Sequence, residues 1–145
     1  MGVVLARVTT DPIDLATHLA AVEGPDAGAV ASFCGTIRDH DPEAAGVVTG
    51  IDYTCHPDAD RLIGVLAAAV AAEVDPDGVT RIAVSHRVGR LEVGEIALIA
   101  CVASAHRGPA FAVCQAVVER IKAELPIWKQ QFEADGRAVW SGLGL

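Results

Sequence analysis

Two lysines near the C-terminal end of the chain are the residues whose type and spacing point most directly to chemistry. Lys122 and Lys129 stand seven residues apart in the segment IKAELPIWKQQF, on either side of Pro126. Two ammonium groups that share a pocket repel each other, which favours a neutral amine on one of them. A neutral amine can act as a base or a nucleophile, and an ammonium can hold a phosphate or a carboxylate. The spacing leaves open a pair of solvated surface lysines, one of them paired with Glu119.

Further cationic side chains follow two of the predicted strands. His106 and Arg107 come directly after an apolar run, at the start of a predicted helix. A helix N-terminus binds anions through its free backbone N–H groups and its dipole, and an Arg and a His would strengthen such a site. Arg38 ends an earlier strand and opens a polar loop. A solvated loop at 106–107, and an Arg38 paired with Asp39 or Asp41, are the alternatives.

The composition is that of a folded chain with an acidic surface. A length of 145 residues allows a substantial core, and a hydrophobic fraction of 52% argues against disorder. A net charge of -8 argues against nonspecific nucleic-acid binding, which needs a basic surface. The longest apolar run, 62–74, is too short for a membrane span and carries Glu73. The N-terminus lacks the features of a signal peptide. We predict a single domain over residues 1–145, in the cytoplasm, with neither a nucleic-acid nor a membrane partner.

The cysteines are predicted to be reduced thiols in apolar surroundings. They stand at positions 34, 55, 101 and 114, and none forms a CxxC pair. In a cytoplasmic chain the expectation is that most of them are buried. Zinc is the sharper alternative, with Cys55 and His56 as ligands in one version. Another version pairs Cys34 with His40, but neither spacing matches a common zinc pattern.

Hydrophobic periodicity and breakers predict alternating helices and strands in the order α-β-β-α-β-β-α-β-β. A first helix starts at Asp11-Pro12, because a capping Asp followed by Pro is typical of a helix start, and it ends at Gly24. The other predicted elements are strands at 29–37 and 47–55, a helix at 57–74, strands at 80–87 and 96–103, a helix that Pro126 ends, and strands at 127–134 and 138–140. Hairpin-like pairs of strands between helices favour an α+β fold with a mostly antiparallel sheet.

Three local interpretations depend on this pattern. Alternation in the strand at 80–87 puts His86 on the apolar face, which favours a core histidine. The RLEV stretch between Gly89 and Gly94 is interpreted as rich in turns. In the strand at 127–134 we expect Trp128 and Phe132 on the inner face, with Lys129 pointing the other way and leaning back toward the first lysine.

Five segments carry a family resemblance. They are FCGTIRDHD at 33–41, IDYTCHPDA at 51–59, SHRVGRLEVGE at 85–95, SAHRGPAF at 104–111 and IKAELPIWKQ at 121–130. In this order they resemble the large, catalytic subunit of molybdopterin synthase. The patterns HR-x-G-x-L-x-VGE, HR before AF, and K-x-x-x-P-x-WK are together quite specific. The resemblance covers most of the chain from Gly28 to Trp140.

The resemblance implies a fold, an activity and partners. The family fold is an α/β hammerhead with an additional antiparallel β-subdomain. The family makes molybdopterin, for molybdenum cofactor biosynthesis, from cyclic pyranopterin monophosphate by installing two sulfurs as a dithiolene. The sulfur comes from the C-terminal thiocarboxylate of a small ubiquitin-like subunit whose Gly-Gly tail enters a pocket of the large subunit. Two large subunits form a homodimer within a heterotetramer. No cofactor or metal is expected, since molybdenum enters at a later step.

Site residues carry over from the family by position. Lys122 and Lys129 would be the catalytic pair. The pterin and phosphate pocket would be lined, besides the lysines, by Thr36, Ile37, Arg38, His106, Arg107, Gln130 and Gln131. One departure concerns the C-terminus, where family members often carry a longer tail with further basic residues. Here SGLGL follows Trp140, so a contribution of the tail to a neighbouring pocket is in doubt.

Two rival functions remain open at this point. A persulfide sulfurtransferase would use Cys34 or Cys55 as its nucleophile and would need an exposed thiol of low pKa. A noncatalytic docking module for a ubiquitin-like sulfur carrier would tolerate the loss of both lysines.

Overall fold

A computed structural model describes residues 1–42 and 44–141, and within these it contains three helices and eight strands. In chain order the elements are β1 (Gly2–Thr9), α1 (Leu15–Val22), β2 (Ala29–Thr36), β3 (Val48–Cys55), α2 (Ala59–Val74), β4 (Arg81–Arg87), β5 (Gly89–Glu92), β6 (Ile96–Ser104), α3 (Arg107–Glu124), β7 (Ile127–Glu133) and β8 (Ala138–Ser141).

The first sheet has the strand order β1-β4-β6-β2 and carries helices on both faces. The β1–β4 pairing is parallel, and the pairings of β6 with β4 and with β2 are antiparallel. Alternation along β4 sends Ile82 and Val84 into the main core under α2 and α3. Ala83 faces the other way, into a smaller core with Val22 of α1. Because β4 and β6 are covered on both faces, they form the buried centre of the sheet.

The second sheet has the strand order β5-β3-β7-β8 and is antiparallel throughout. Its own small core contains Ile51 of β3 and Leu91 of β5, together with Ile37, which follows β2, and Ala97 of β6. These contacts join the second sheet to the ends of β2 and β6. The two sheets therefore meet at the end of β2, where the chain enters the loop that leads to β3.

The α+β prediction with a mostly antiparallel sheet is confirmed. All nine predicted elements are present, and β6 is buried on both faces from Ala97 to Ser104. His86 is buried in β4, as its place on the apolar face predicted.

Four local predictions are corrected. The first strand, β1, was not predicted. Helix α1 begins at Leu15, because Asp14 and not Asp11 caps it, with Oδ1 accepting a 2.7 Å hydrogen bond from the Thr17 amide. The RLEV stretch forms most of strand β5, between turns at Gly89 and Gly94 that both have a φ of 91°. Of the cysteines, only Cys101 and Cys114 are buried; Cys34 is exposed and Cys55 half-buried.

The inner face of β7 is the reverse of the one expected. Ile127, Gln131 and Glu133 are buried, whereas Trp128 and Phe132 are only half-buried. Side chains alternate along a strand, so the face that presents Lys129 must also carry Gln131 and Glu133. Phe132 lies on the opposite face, where the Arg90 guanidinium stacks 4.3 Å from the ring centroid.

No helix in the described part of the chain is long and apolar enough to cross a membrane. Within residues 1–42 and 44–141, no group of three or more His, Cys, Asp or Glu side chains is arranged to hold a metal ion.

Candidate active site

The main cleft lies where α3 ends and the second sheet begins. It consists of two adjoining cavities of about 310 Å³ and 330 Å³. Both are lined by Thr36, Asp41, Tyr53, Lys122 and Lys129. Gly35, Pro42, His86, Ala97 and Leu98 line the first cavity only, and Ile37, Arg38, His40, Ile51 and Gln131 line the second only. We call the two cavities together the lysine cleft.

Two consecutive elements deliver the lysines to this cleft. Lys122 lies in the last turn of α3, where a cation interacts favourably with the helix dipole. The helix closes when the Leu125 amide donates to the Ile121 carbonyl, and Pro126 then turns the chain into β7. Lys129 is the third residue of β7 and stands opposite Tyr53 of β3 in the antiparallel register. These are the only two lysines in the sequence, so every lysine of the chain lines one cleft.

Lys129 has a carboxylate partner. Its Nζ lies 3.5 Å from Asp41 Oδ2, and the two side chains are 24% and 14% exposed. Asp41 belongs to the loop between β2 and β3. Glu133 of β7 fixes this loop in place. Glu133 Oε1 accepts hydrogen bonds from the backbone amides of Ala45 at 2.6 Å and Gly46 at 3.2 Å. The sheet thereby holds an acidic side chain against one of the two lysines.

Lys122 is in a different situation. It is exposed at the mouth of the cleft and makes no salt bridge with any of the described residues. Glu119, its expected partner, also forms no ion pair in that part of the chain. The two lysines are thus chemically distinct, one paired with a carboxylate and one facing the cleft and solvent.

The floor of the cleft is aromatic and neutral. The Tyr53 ring meets the His86 ring edge to face, with centroids 5.1 Å apart and planes at 80°. Burial raises the pKa of the Tyr53 hydroxyl to about 12 and lowers the pKa of His86 to about 4, the nearby Lys122 charge adding to the latter effect. Neither group is charged near neutral pH, so the cleft sets cations above a neutral floor.

The HR-x-G-x-L-x-VGE pattern builds this floor from beneath. Arg87 forms an ion pair with Glu95, and the guanidinium holds the pKa of that carboxyl below its usual range. Leu91 fills the small core of the second sheet. Gly89 and Gly94 adopt a positive φ, which favours glycine at both turns. Most of the pattern is therefore structural, and its first residue, His86, reaches the cleft.

The site residues expected from the sequence fall into two groups. Thr36, Ile37, Arg38 and Gln131 line the lysine cleft together with both lysines. Gln130 is not among the lining residues and points to the other face of β7, as its neighbours Trp128 and Phe132 do.

His106 and Arg107 lie apart from the cleft. His106 caps the start of α3 and Arg107 is its first residue, whereas Lys122 is in its last turn. Fifteen residues of helix separate Arg107 from Lys122, which corresponds to about 22 Å along the axis. Arg107 instead lines a small cavity of about 140 Å³ with Val30 and Phe111. One copy of the chain therefore does not bring this pair to the lysines.

Asp41, Tyr53 and His86 are among the lining residues that the sequence did not assign to the site. Asp41 was considered as a partner for Arg38, which here is exposed, and its proximity to Lys129 arises only when the loop folds over β7. Tyr53 could have been found from the strand alternation that puts it on the same face as Ile51. His86 was assigned to the core, and it is indeed buried, but it also lines the first cavity of the cleft.

The structure is an α+β fold of two sheets, and its main cleft gathers both lysines of the chain above a neutral floor. The family model described as MoaE protein matches residues 8–124. Catalytic subunit 1 of molybdopterin synthase from Mycobacterium tuberculosis is 35% identical over 136 residues, covering 94% of this chain and 89% of that protein.

Solved structures agree with the sequence comparison. Molybdopterin synthase from Staphylococcus aureus superposes with a TM-score of 0.81 at 25% identity, covering 94% of this chain and 96% of that one. A chain from the Helicobacter pylori complex of subunits 1 and 2 of molybdopterin-converting factor shares the fold, with a TM-score of 0.67 at 15% identity and coverage of 96% and 89%. The chain belongs to the MoaE family, the catalytic subunits of the enzyme molybdopterin synthase.

Proposed function

We propose that this chain transfers sulfur from the C-terminal thiocarboxylate of a small ubiquitin-like subunit to cyclic pyranopterin monophosphate, producing the dithiolene of molybdopterin. The observation that carries the proposal is the convergence of Lys122 and Lys129 on one cleft in a chain with no other lysine. The substrate is an anion and so is the thiocarboxylate, and both need cationic partners. Family membership supplies the reaction, and the cleft supplies residues suited to it.

The different surroundings of the lysines support different roles. Lys129, held in place by Asp41, would bind an anionic group. Lys122, without a carboxylate partner in the described chain, would supply the amine that moves protons. The thiocarboxylate sulfur attacks an oxygen-bearing carbon of the substrate, and the C–O bond there breaks as the C–S bond forms. The oxygen takes up a proton as it leaves, and the product carries a thioester-like link to the partner. Water then attacks the acyl carbon, Lys122 takes its proton, and the partner leaves as a carboxylate while the sulfur stays on the substrate.

Thr36, Ile37, Arg38 and Gln131 would complete the pterin pocket within one chain. Arg38 is an exposed cation at the rim of the second cavity, suited to a phosphate that remains partly in water. Gln131 is buried and offers an amide that can donate and accept hydrogen bonds. We assign Gln130 no contact with substrate from the same chain.

For His106 and Arg107 we propose that they serve the cleft of a second copy. Among the described residues, strand β2 is an edge of the first sheet and pairs only with β6. Val30, Ser32, Cys34 and Thr36, on one of its faces, are exposed. Arg107 adjoins the start of β2, whereas the lysine cleft takes Gly35 and Thr36 at its end. If two copies met along β2 about a two-fold axis, the start of one strand would lie opposite the end of the other. Each Arg107 would then approach the partner copy's lysines.

This arrangement supports the homodimer within a heterotetramer that the resemblance implied. Phe111, 65% exposed, and Val30, 46% exposed, would be covered at such a contact, and an unprotected strand edge invites pairing. The C-terminal hairpin, with Trp140 63% exposed, is a second apolar surface available to a partner. We place the reaction in the cytoplasm, where the four free thiols of the chain would stay reduced.

The test is a single-turnover assay with cyclic pyranopterin monophosphate and the thiocarboxylated partner. We expect Lys122→Ala to lower the rate by at least about a hundredfold, as is typical for the loss of a general base. Lys122→Arg should not restore it, because a guanidinium keeps its proton near neutral pH. Arg61→Ala, which removes an exposed cation of α2 that does not line the cleft, is the matched control and should retain the wild-type rate.

The rival functions make different predictions in the same assay. A docking module would leave the rate unchanged in Lys122→Ala. A persulfide enzyme would lose activity when all four cysteines are replaced by Ser or Ala. Burial raises the pKa of Cys101 to about 11, and also raises that of Cys114, so neither is a thiolate at neutral pH. That leaves Cys34 and Cys55, as the sequence suggested, and neither lines the lysine cleft.

A further inference from the structure

His86 combines burial with an open hydrogen-bonding atom at the cleft. The side chain is 3% exposed and lines the first cavity together with both lysines. A buried polar atom that lacks a partner is costly, so such atoms are usually either satisfied within the fold or reserved for a ligand. A hydrogen-bond partner must therefore be identified for each nitrogen of the ring.

One ring nitrogen is satisfied by the backbone. His86 Nδ1 lies 2.8 Å from the carbonyl oxygen of Arg87, and a carbonyl can only accept, so Nδ1 carries the hydrogen and donates it. Burial keeps the imidazole neutral, as its lowered pKa indicates, which leaves Nε2 without a hydrogen. Nε2 is then a fixed hydrogen-bond acceptor, and within the described residues the only hydrogen bond of the ring is the one at Nδ1.

The side chains around His86 leave its Nε2 available to a ligand in the cavity. The Tyr53 ring meets the imidazole edge to face, and Lys122 is close enough for its charge to disfavour protonation of the ring. The wall of the cavity also includes Gly35, Ala97 and Leu98, whose side chains offer no hydrogen-bond donor to Nε2. A narrow apolar wall beside two aromatic rings suits a flat heterocycle.

We propose that His86 is a specificity residue, whose Nε2 accepts a hydrogen bond from a ring N–H of the reduced pterin bound in the lysine cleft. The inference rests on the proposed function, because it takes the pterin as the occupant. The lysines would hold the anionic groups of the ligand, which any phosphate shares, and His86 would recognise the heterocycle. A heterocycle with an acceptor at that position would place its lone pair against the lone pair of His86 Nε2. It would therefore bind more weakly than a heterocycle with an N–H there.

Two substitutions separate this role from a structural one. In His86→Asn the side-chain amide can take the place of Nδ1 and donate to the Arg87 carbonyl, but nothing replaces Nε2. In His86→Gln the amide reaches the Nε2 position and offers an oxygen acceptor to the cavity, but the bond to Arg87 is lost. The dissociation constant of cyclic pyranopterin monophosphate is measured by calorimetry without the partner subunit, so that no turnover occurs, and thermal melts report folding.

We expect His86→Asn to weaken binding about tenfold, because it loses the hydrogen bond between Nε2 and the pterin. His86→Gln should weaken binding less, because its amide oxygen can keep that hydrogen bond. Equal affinity in His86→Asn and wild type, or weaker binding in His86→Gln than in His86→Asn, would overturn the assignment. The ¹⁵N resonance of His86 Nε2 in the wild-type protein gives a readout that does not depend on either variant folding. It should move toward the value of a hydrogen-bonded acceptor on saturation with the pterin, and an unmoved resonance would equally overturn it.

The same experiment distinguishes failure of the proposed function from failure of the role assigned to His86. If the wild-type protein does not bind cyclic pyranopterin monophosphate, the proposed function fails. If the wild type binds it, Lys122→Ala is inactive and His86→Asn binds normally, only the role of His86 is wrong.

Discussion

At the scale of single residues, the cleft contains its own competitor for anions. Asp41 holds a carboxylate 3.5 Å from the Lys129 ammonium in a chain that is already acidic. A ligand phosphate or thiocarboxylate that reaches Lys129 must share this ammonium with Asp41 or displace it. The acidic side chain therefore weakens anion binding while it keeps Lys129 in place.

This leads to a prediction for Asp41→Asn. Removing the negative charge should tighten the binding of inorganic phosphate by about three- to fivefold, equivalent to roughly 1 kcal/mol for a partly exposed ion pair. The gain should shrink at high salt, because screening weakens the competing attraction. Calorimetric titration at two salt concentrations measures it. Asp39→Asn in the same loop removes an equal charge whose partner is His40, and it should leave the affinity unchanged. Weaker binding in Asp41→Asn would mean that Asp41 positions Lys129 without competing.

His86 gives a second residue-scale prediction, on acid stability. Its pKa is about 4 in the folded protein and 6.5 in the unfolded chain, so between these values the unfolded state binds more protons. Stability from the neutral imidazole is complete above pH 6.5 and is lost as the pH falls toward 4. The loss is roughly 3 kcal/mol, since one pKa unit is about 1.4 kcal/mol.

Urea denaturation at a series of pH values measures this contribution. His86→Gln should lose less unfolding free energy than the wild type between pH 6.5 and 4. Asp14, Asp26, Asp75 and Glu95 have lowered pKa values in both proteins, so the difference isolates the imidazole. Parallel curves for His86→Gln and the wild type would show that His86 does not titrate in this way.

At the scale of elements, the second sheet depends on a close approach at Gly50 of β3. A Cβ added there would lie 2.6 Å from Arg90 Nη2 and 2.9 Å from the backbone oxygen of Leu91. The Arg90 side chain can move, but the Leu91 oxygen belongs to the neighbouring strand β5 and cannot. Arg90 would also lose its place over the Phe132 ring.

Two glycine-to-alanine substitutions test this approach. Gly50→Ala should destabilise the protein by about 1–3 kcal/mol, the usual cost of overpacking. Gly64→Ala, in the middle of α2, places its Cβ 3.7 Å from Ala6 Cβ, an ordinary contact, and should stabilise by up to about 1 kcal/mol through helix propensity. Chemical denaturation of both variants gives the comparison. A destabilised Gly64→Ala beside an unaffected Gly50→Ala would refute the packing argument.

Elements with local signals were predictable, and elements formed by distant contacts were not. Helix α2 and strand β6 follow from periodicity and from a continuous apolar run. Strand β1 has no local partner, since it pairs in parallel with β4 about eighty residues further along the chain. Strand β5 has only four residues, the first of which is Gly89, and Gly94 follows two residues after its end, so the turn signals of these glycines dominate its sequence.

The face of β7 could not be decided from side-chain size. Hydrophobicity favours burying Trp128 and Phe132, and the structure buries Gln131 and Glu133 instead. Glu133 is buried because two backbone amides of the β2–β3 loop satisfy its Oε1, and that loop is far away in sequence. The prediction that Lys129 points away from Trp128 did not depend on this choice and agrees with the lining of the cleft.

At the scale of the whole molecule, the extent of the site is the open question. The lysines and four of the expected pocket residues share one cleft, but Arg107 lies a helix length away. This separation follows from the places of Arg107 and Lys122 in the first and last turns of one helix, but the sequence does not show whether a second copy brings Arg107 to the cleft. The single domain over residues 1–145 likewise stays a prediction.

A mixing experiment tests whether the site spans two copies. Lys122→Ala and Arg107→Ala are each expected to be inactive or strongly impaired alone. If Arg107 acts in the partner copy's cleft, a mixed dimer has one intact site, and a statistical mixture should regain about a quarter of wild-type activity. Turnover after mixing and re-equilibration of the subunits measures this. If Arg107 acts in its own chain, no mixed dimer has an intact site and no activity returns.

The concentration of both lysines in one cleft also determines how the protein responds to chemical modification. Its other basic side chains are arginines and histidines, so apart from the N-terminal amine the cleft holds all the amines that acetyl, carbamyl or succinimidyl groups can reach. Lysine acylation of this protein is therefore an event inside the cleft, where it would remove a charge that the proposed reaction uses. Amine-directed cross-linkers would likewise join a partner to this chain only where its tail approaches the lysines. Isotope-labelled methyl groups placed on the ε-amines would give spectra with two site-derived signals, one for each lysine.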